Sequence, residues 1–90
     1  MKSTWKPIKE EGKLSTADKN DLPESAFAFP KKRKEPLTDA GHVRNAIARF
    51  DQVEGVNDED RDQAWANIKK AAEYFKIDVN EKSWHELMHK

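Results

Sequence analysis

The sequence predicts an all-α fold: a small three-helix module over residues 37–90, preceded by an extended aromatic arm and basic linker at 22–36 and a disordered tail at 1–21. Three observations point there. Beyond residue 42 apolar side chains recur at spacings of three and four, the period of an amphipathic helix. Before that, two prolines bracket a run of alternating apolar and small residues, which disfavours helix and favours an extended chain. At the front, apolar residues are sparse and share no period, so ordering them gains too little against the entropy lost.

Composition bounds the rest. At 90 residues, 38% charged and 36% hydrophobic, the chain holds one domain at most, with a thin core. Residues 1–36 carry nine Lys/Arg and six Asp/Glu, residues 37–90 eight and eleven, so a basic front offsets an acidic back to a net charge of zero. Neither excess is large enough to demand a nucleic-acid partner. There is no cysteine. A secreted domain with so little core is usually stapled by disulfides, so a cytoplasmic location is expected. No apolar run follows Met1-Lys2-Ser3-Thr4-Trp5-Lys6-Pro7, and no stretch approaches membrane-spanning length, so neither a signal peptide nor a membrane contact is expected.

The tail, 1–21, reads as solvated, and trimming it is expected to leave the melting temperature nearly unchanged. The arm, Leu22 to Pro30, places Phe27 and Phe29 two apart, so an extended backbone sends both to one side. They dock on the chain's own module or on a partner. Lys31-Lys32-Arg33-Lys34 follows, four like charges that repel one another into an exposed loop. Its functional readings are a phosphate or nucleic-acid contact or a localisation signal, against that of a solvated linker, and no second basic cluster reinforces the first.

Thr38 and Asp39 are good N-caps for a first helix with the stripe Val43, Ile47 and Phe50. Gly55 marks the loop after it. Asn57 caps a second helix, with Asp60 placed as the acid of a capping box and further acids in the first turn favoured by the helix dipole. Its stripe is Ala64, Trp65, Ile68, Ala71, Ala72 and Phe75. Residues 76–79 connect, with Ile77 and Val79 inward, to a third short helix capped by Asn80 and packed through Trp84, Leu87 and Met88. The expected core is Val43, Ile47, Phe50, Trp65, Ile68, Phe75, Val79, Trp84 and Leu87. Trp65 and Trp84 fall on these stripes, which makes them packing residues rather than stacking platforms for bases.

His85-Glu86-Leu87-Met88-His89 matches the H-E-x-x-H zinc-protease pattern. A catalytic zinc needs a third protein ligand and a substrate cleft, and the one other histidine, His42, lies far upstream. Neither serine candidate, Ser25 or Ser83, has a convincing His/Asp set, and no glycine-rich phosphate loop is present. No enzyme activity, metal, cofactor or small-molecule substrate is expected.

Ser25 to Pro30, followed by Pro36-Leu37-Thr38-Asp39-Ala40-Gly41-His42-Val43-Arg44-Asn45-Ala46-Ile47-Ala48-Arg49-Phe50, resembles an uncharacterised family of small bacterial proteins. The resemblance implies an accessory module similar to those of bacteriophage and prophage proteins, some linked to capsid assembly. The resemblance runs from about Leu22 to Leu87. It implies a class and no mechanism, and it implies arginine as the common residue at the position of His85. The residues singled out also have physical readings. His42 and Asn45 share a helical face and are placed to fasten the arm through its backbone. Arg49 is spaced to meet the arm or an acid of the second helix. Together with Arg44, these residues alternatively form a surface for a partner. The function expected is a non-catalytic, phage-related interaction module for a protein partner. The alternative is weak nucleic-acid binding through Lys31, Lys32, Arg33 and Lys34.

Overall fold

A computed structural model describes residues 2–7 and 22–88. Among them run a 3-10 turn Glu24–Ala26, strand β1 Phe27–Phe29, strand β2 Lys34–Pro36, helix α1 Ala40–Arg49, a 3-10 turn Phe50–Gln52, helix α2 Asp58–Tyr74 and a final 3-10 turn Trp84–Met88. This overturns the all-α, three-helix expectation. The fold is a mixed one, two α-helices against a two-stranded antiparallel sheet.

The aromatic arm is the first strand of that sheet. Phe27 lies opposite Pro36 and Phe29 opposite Lys34, and the Leu37 N–H extends the pairing to the Ala26 carbonyl at 2.7 Å. The basic run is the hairpin turn. Lys32 N–H donates to the Phe29 carbonyl at 3.2 Å and Arg33 N–H to the Pro30 carbonyl at 3.3 Å. Arg33 (φ 51) and Glu35 (φ 57) adopt left-handed backbone, a conformation that side chains resist. Contacts with Leu22 and Phe27 help to hold Arg33 there. Its Nη2 donates to the Leu22 carbonyl at 2.6 Å, and its guanidinium lies 4.9 Å from the centre of the Phe27 ring.

Both helices start as expected. The Asp39 carboxylate accepts the His42 N–H at 2.8 Å, and Asn57 and Asp60 form a reciprocal capping box, with bonds of 2.8 and 3.2 Å. The third helix does not form. Its span is short, and a 3-10 turn eclipses residues three apart, so Trp84 and Leu87 reach the core together. Asn80 does not cap it. The Glu86 carboxylate instead accepts the N–H groups of Lys82 and Ser83.

All nine expected core residues belong to one cluster, with Ile47, Phe75 and Val79 only partly buried. That cluster also holds Ala28, Phe29, Leu37 and Trp5. Trp5 is 1% exposed, which corrects the expectation of a disordered tail for residues 2–7. Residue 1 and residues 8–21, the remainder of that tail, lie outside the described residues. No helix among the described residues is long and apolar enough to cross a membrane.

Candidate interaction surface

The surface is organised around one buried amide. Asn67 lies on the apolar side of α2 and is 0% exposed. Its Oδ1 accepts the Thr4 N–H at 2.8 Å, the Trp5 N–H at 3.2 Å and the Ser3 hydroxyl at 2.9 Å. Its Nδ2 donates to the Ala28 carbonyl at 2.9 Å and the Phe27 carbonyl at 3.3 Å. A primary amide carries both donor and acceptor, so it stitches segment 2–6 to the free edge of β1 much as a neighbouring strand would. The Trp5 indole N–H reaches the Leu37 carbonyl at 3.0 Å, and the Lys6 N–H reaches the Ser25 carbonyl at 3.0 Å.

This arrangement leaves a cleft of about 460 Å³ between the hairpin turn and the first turns of α2. Its apolar lining is Phe29 and Pro30. Lys31 and Lys32 of the turn and Glu59, Asp60 and Gln63 of α2 line it, together with Glu24, Ser25 and Thr4. Lys31, Lys32, Glu24 and Glu59 are exposed, so both signs of charge face the opening. Asp60 is partly engaged by its capping bond to Asn57.

Other residues singled out from the sequence are scattered. Phe29 is 2% exposed and packs on Phe50, ring centres 5.7 Å apart. Phe27 is 5% exposed and joins Leu22 and Ala26 in a second cluster, so the two phenylalanines do not share one. His42 is half-buried against Asp39, its Nδ1 2.8 Å from Oδ1. Burial raises the Asp39 carboxyl, but the His42 N–H, the His42 ring and the Gly41 N–H outweigh it, and the net direction is down from the ordinary carboxylate value. Among the described residues neither His42 nor Asn45 hydrogen-bonds to the arm; Asn67 does so instead. Arg44, Asn45 and Arg49 are exposed on α1. Arg49 borders a second depression with Lys34 and Glu54, where the Lys34 Nζ donates to the Glu54 carbonyl at 2.8 Å. Thus Arg33 and Lys34 fold back while Lys31 and Lys32 project.

The H-E-x-x-H residues are occupied differently. The His85 ring stacks on Trp84 with centres 3.8 Å apart, Glu86 caps the turn, and His89 lies outside the described residues. Trp84 is itself fixed by its indole N–H on the Asp62 carboxylate at 2.7 Å. Among the described residues no group of three His, Cys, Asp or Glu side chains is placed to hold a metal.

Sequence reasoning missed Trp5, Asn67 and the acidic residues of the cleft. Asn67 left a signal, a polar residue beside Ala64, Trp65, Ile68 and Ala71 on the apolar side of a helix. Trp5 left none beyond being an isolated large aromatic.

A family profile described as a family of unknown function (DUF6582) matches residues 6–82. It agrees with the uncharacterised family expected from the sequence and carries no link to phage proteins. No curated protein and no solved structure matches the chain.

Proposed function

Since the chain belongs to the DUF6582 family, whose function is unknown, we propose that it is a non-catalytic protein-interaction module that binds through the cleft between the hairpin turn and α2. The observation that carries this reading is the cleft's make-up. Phe29 and the half-buried Pro30 line it together with exposed lysines of the hairpin turn and carboxylates at the start of α2. A concave apolar patch with a polar rim suits a polypeptide partner. Opposite charges in its lining fix that partner's direction. Ser25 lines the cleft without a histidine among its described neighbours there, and the non-catalytic reading rests on that lack of a Ser-His pairing.

Nucleic-acid binding is the weaker reading. Of the four basic residues, Arg33 holds the Leu22 carbonyl and Lys34 the Glu54 carbonyl, and Lys31 and Lys32 share their cleft with Glu24, Glu59 and Asp60. A phosphate backbone entering the cleft meets Glu59 and Asp60. The accessory role beside phage proteins rests on the resemblance of the Ser25–Pro30 and Pro36–Phe50 runs alone. The compartment this reading expects is the cytoplasm, which suits a small cysteine-free chain.

The test is affinity capture from the native host with the full chain and with Lys31→Glu/Lys32→Glu. Both lysines are exposed, so the melting temperature should not change. Capture of a protein partner should fall at least tenfold, and capture unaffected by the reversal would refute the cleft as the site. In parallel, titration with single-stranded and duplex oligonucleotides should show no affinity that falls steeply with salt. A steep salt dependence abolished by the same reversal would favour the nucleic-acid reading.

A further inference from the structure

Segment 2–6 sits on the molecule as a ligand sits on a receptor. It forms no secondary structure of its own. Apart from the Trp5 N–H bonding the Ser3 hydroxyl, its hydrogen bonds to described residues go to Ser25, Leu37, Gln63 and Asn67. The groove it fills is specific. It takes one fully buried tryptophan, reads the indole N–H with the Leu37 carbonyl, and reads two successive backbone N–H groups with Asn67. An empty groove leaves the Asn67 oxygen and the Leu37 carbonyl without these donors and a tryptophan-sized apolar cavity beside Phe75, so refilling it is strongly favoured.

We infer that this groove also accepts segment 2–6 of a second copy of the chain, giving a reciprocally exchanged dimer. Neither Asn67 nor Leu37 distinguishes its own segment from a neighbour's, so closed and exchanged forms share every contact and differ chiefly in the joining sequence. That sequence, residues 8–21, is fourteen residues long. Fully extended, fourteen residues span about 46–50 Å. The molecule's longest dimension is 33 Å, so the join is long enough to reach a neighbouring copy. Net charge is zero, so two copies meet without net repulsion. The closed monomer prevails in dilute solution because its own segment is always at hand. The exchanged form competes once chain concentration approaches the effective concentration of a tethered segment, on the order of 1 mM.

The experiment uses the full chain, mixed equally from isotope-labelled and unlabelled material at about 1 mM, a concentration matched to the tethered segment, melted and cooled. Light scattering after size exclusion should show a dimer that was absent before melting. Isotope-filtered spectra should show contacts between the Trp5 indole of one copy and Leu37 of another. The same treatment of Trp5→Ala should give no dimer. A monomer throughout, a dimer without the Trp5–Leu37 contact, or a dimer that persists in a folded Trp5→Ala chain overturns the inference. If Trp5→Ala does not fold, the intermolecular contact in the unmodified chain decides alone.

Discussion

Asn67 concentrates more of the fold's polar bonding than any expectation from composition assigns to one side chain. Replacing it by Ala takes a partner from the buried Phe27 and Ala28 carbonyls and from the Thr4 N–H, and leaves the Trp5 N–H with the Ser3 hydroxyl alone. Unmet buried groups cost about 1–3 kcal/mol each, and with some water entry we expect Asn67→Ala to lose about 3 kcal/mol in urea unfolding. Asp39 gives a second residue-scale prediction. Its carboxyl is held below its ordinary value by the bonds it accepts, so it binds protons less readily folded than unfolded. That contribution is present above the unfolded value, about 4, and is lost as pH falls through the lower folded one. Urea unfolding from pH 7 down to 3 should therefore show a shallower loss of stability for Asp39→Asn, which keeps the cap, than for the unmodified chain.

At the scale of elements, what was legible in the sequence was what is local. Asp39, Asn57 and Asp60 sit beside the helix starts they cap, and the stripes through Val43 and Phe50 or Trp65 and Ile68 repeat within one segment. The hairpin was not legible, because its turn lacks the Asn-Gly or Asp-Gly pair that usually marks one. The left-handed positions are taken by Arg33, bonded to the distant Leu22 carbonyl, and by Glu35. The same substitution of a side chain for glycine occurs at the end of α2. Lys76 (φ 59) takes the left-handed position, with its N–H on the Glu73 carbonyl at 3.3 Å and the Ile77 N–H on the Ala72 carbonyl at 2.8 Å. That is the bonding of a helix stop usually built with glycine. Lys76 is exposed, so Lys76→Gly should relieve the backbone without loss of packing and raise stability by about 1 kcal/mol in chemical denaturation.

For the molecule as a whole, the core extends to a part of the chain that composition assigned to solvent. A three-residue hairpin strand and two helices leave one edge of β1 open, and segment 2–6 closes it. Trp5 then meets Phe75 and Tyr74 edge-on, ring centres 5.8 and 5.5 Å away. No local pattern reveals this, since the partners of Trp5 lie 32 and 62 residues along the sequence. The expectation that trimming leaves the melt unchanged is therefore reversed. A chain beginning at residue 8 loses a fully buried tryptophan, a loss of about 3–5 kcal/mol. At roughly 4 °C or more per kcal/mol for a domain this size, its calorimetric midpoint should drop by more than about 10 °C. The candidate cleft was illegible for a related reason. Lys31 and Lys32 were visible as a charge run, but Glu59 and Asp60 come from another element, and only the folded chain brings them to line one cleft.

The distance along the chain between Trp5 and Asn67 also bears on the order of events as the molecule assembles. Closing so long a loop costs entropy before any contact rewards it, so the hairpin and the two helices should find each other first and segment 2–6 should seat itself last. Contacts made after the rate-limiting barrier slow departure from the native state without hastening arrival. In stopped-flow measurements Trp5→Ala should thus unfold much faster than the unmodified chain while refolding within about twofold of its rate. The segment's contribution is then one of lifetime, acting as a latch that the rest of the fold does not need in order to form.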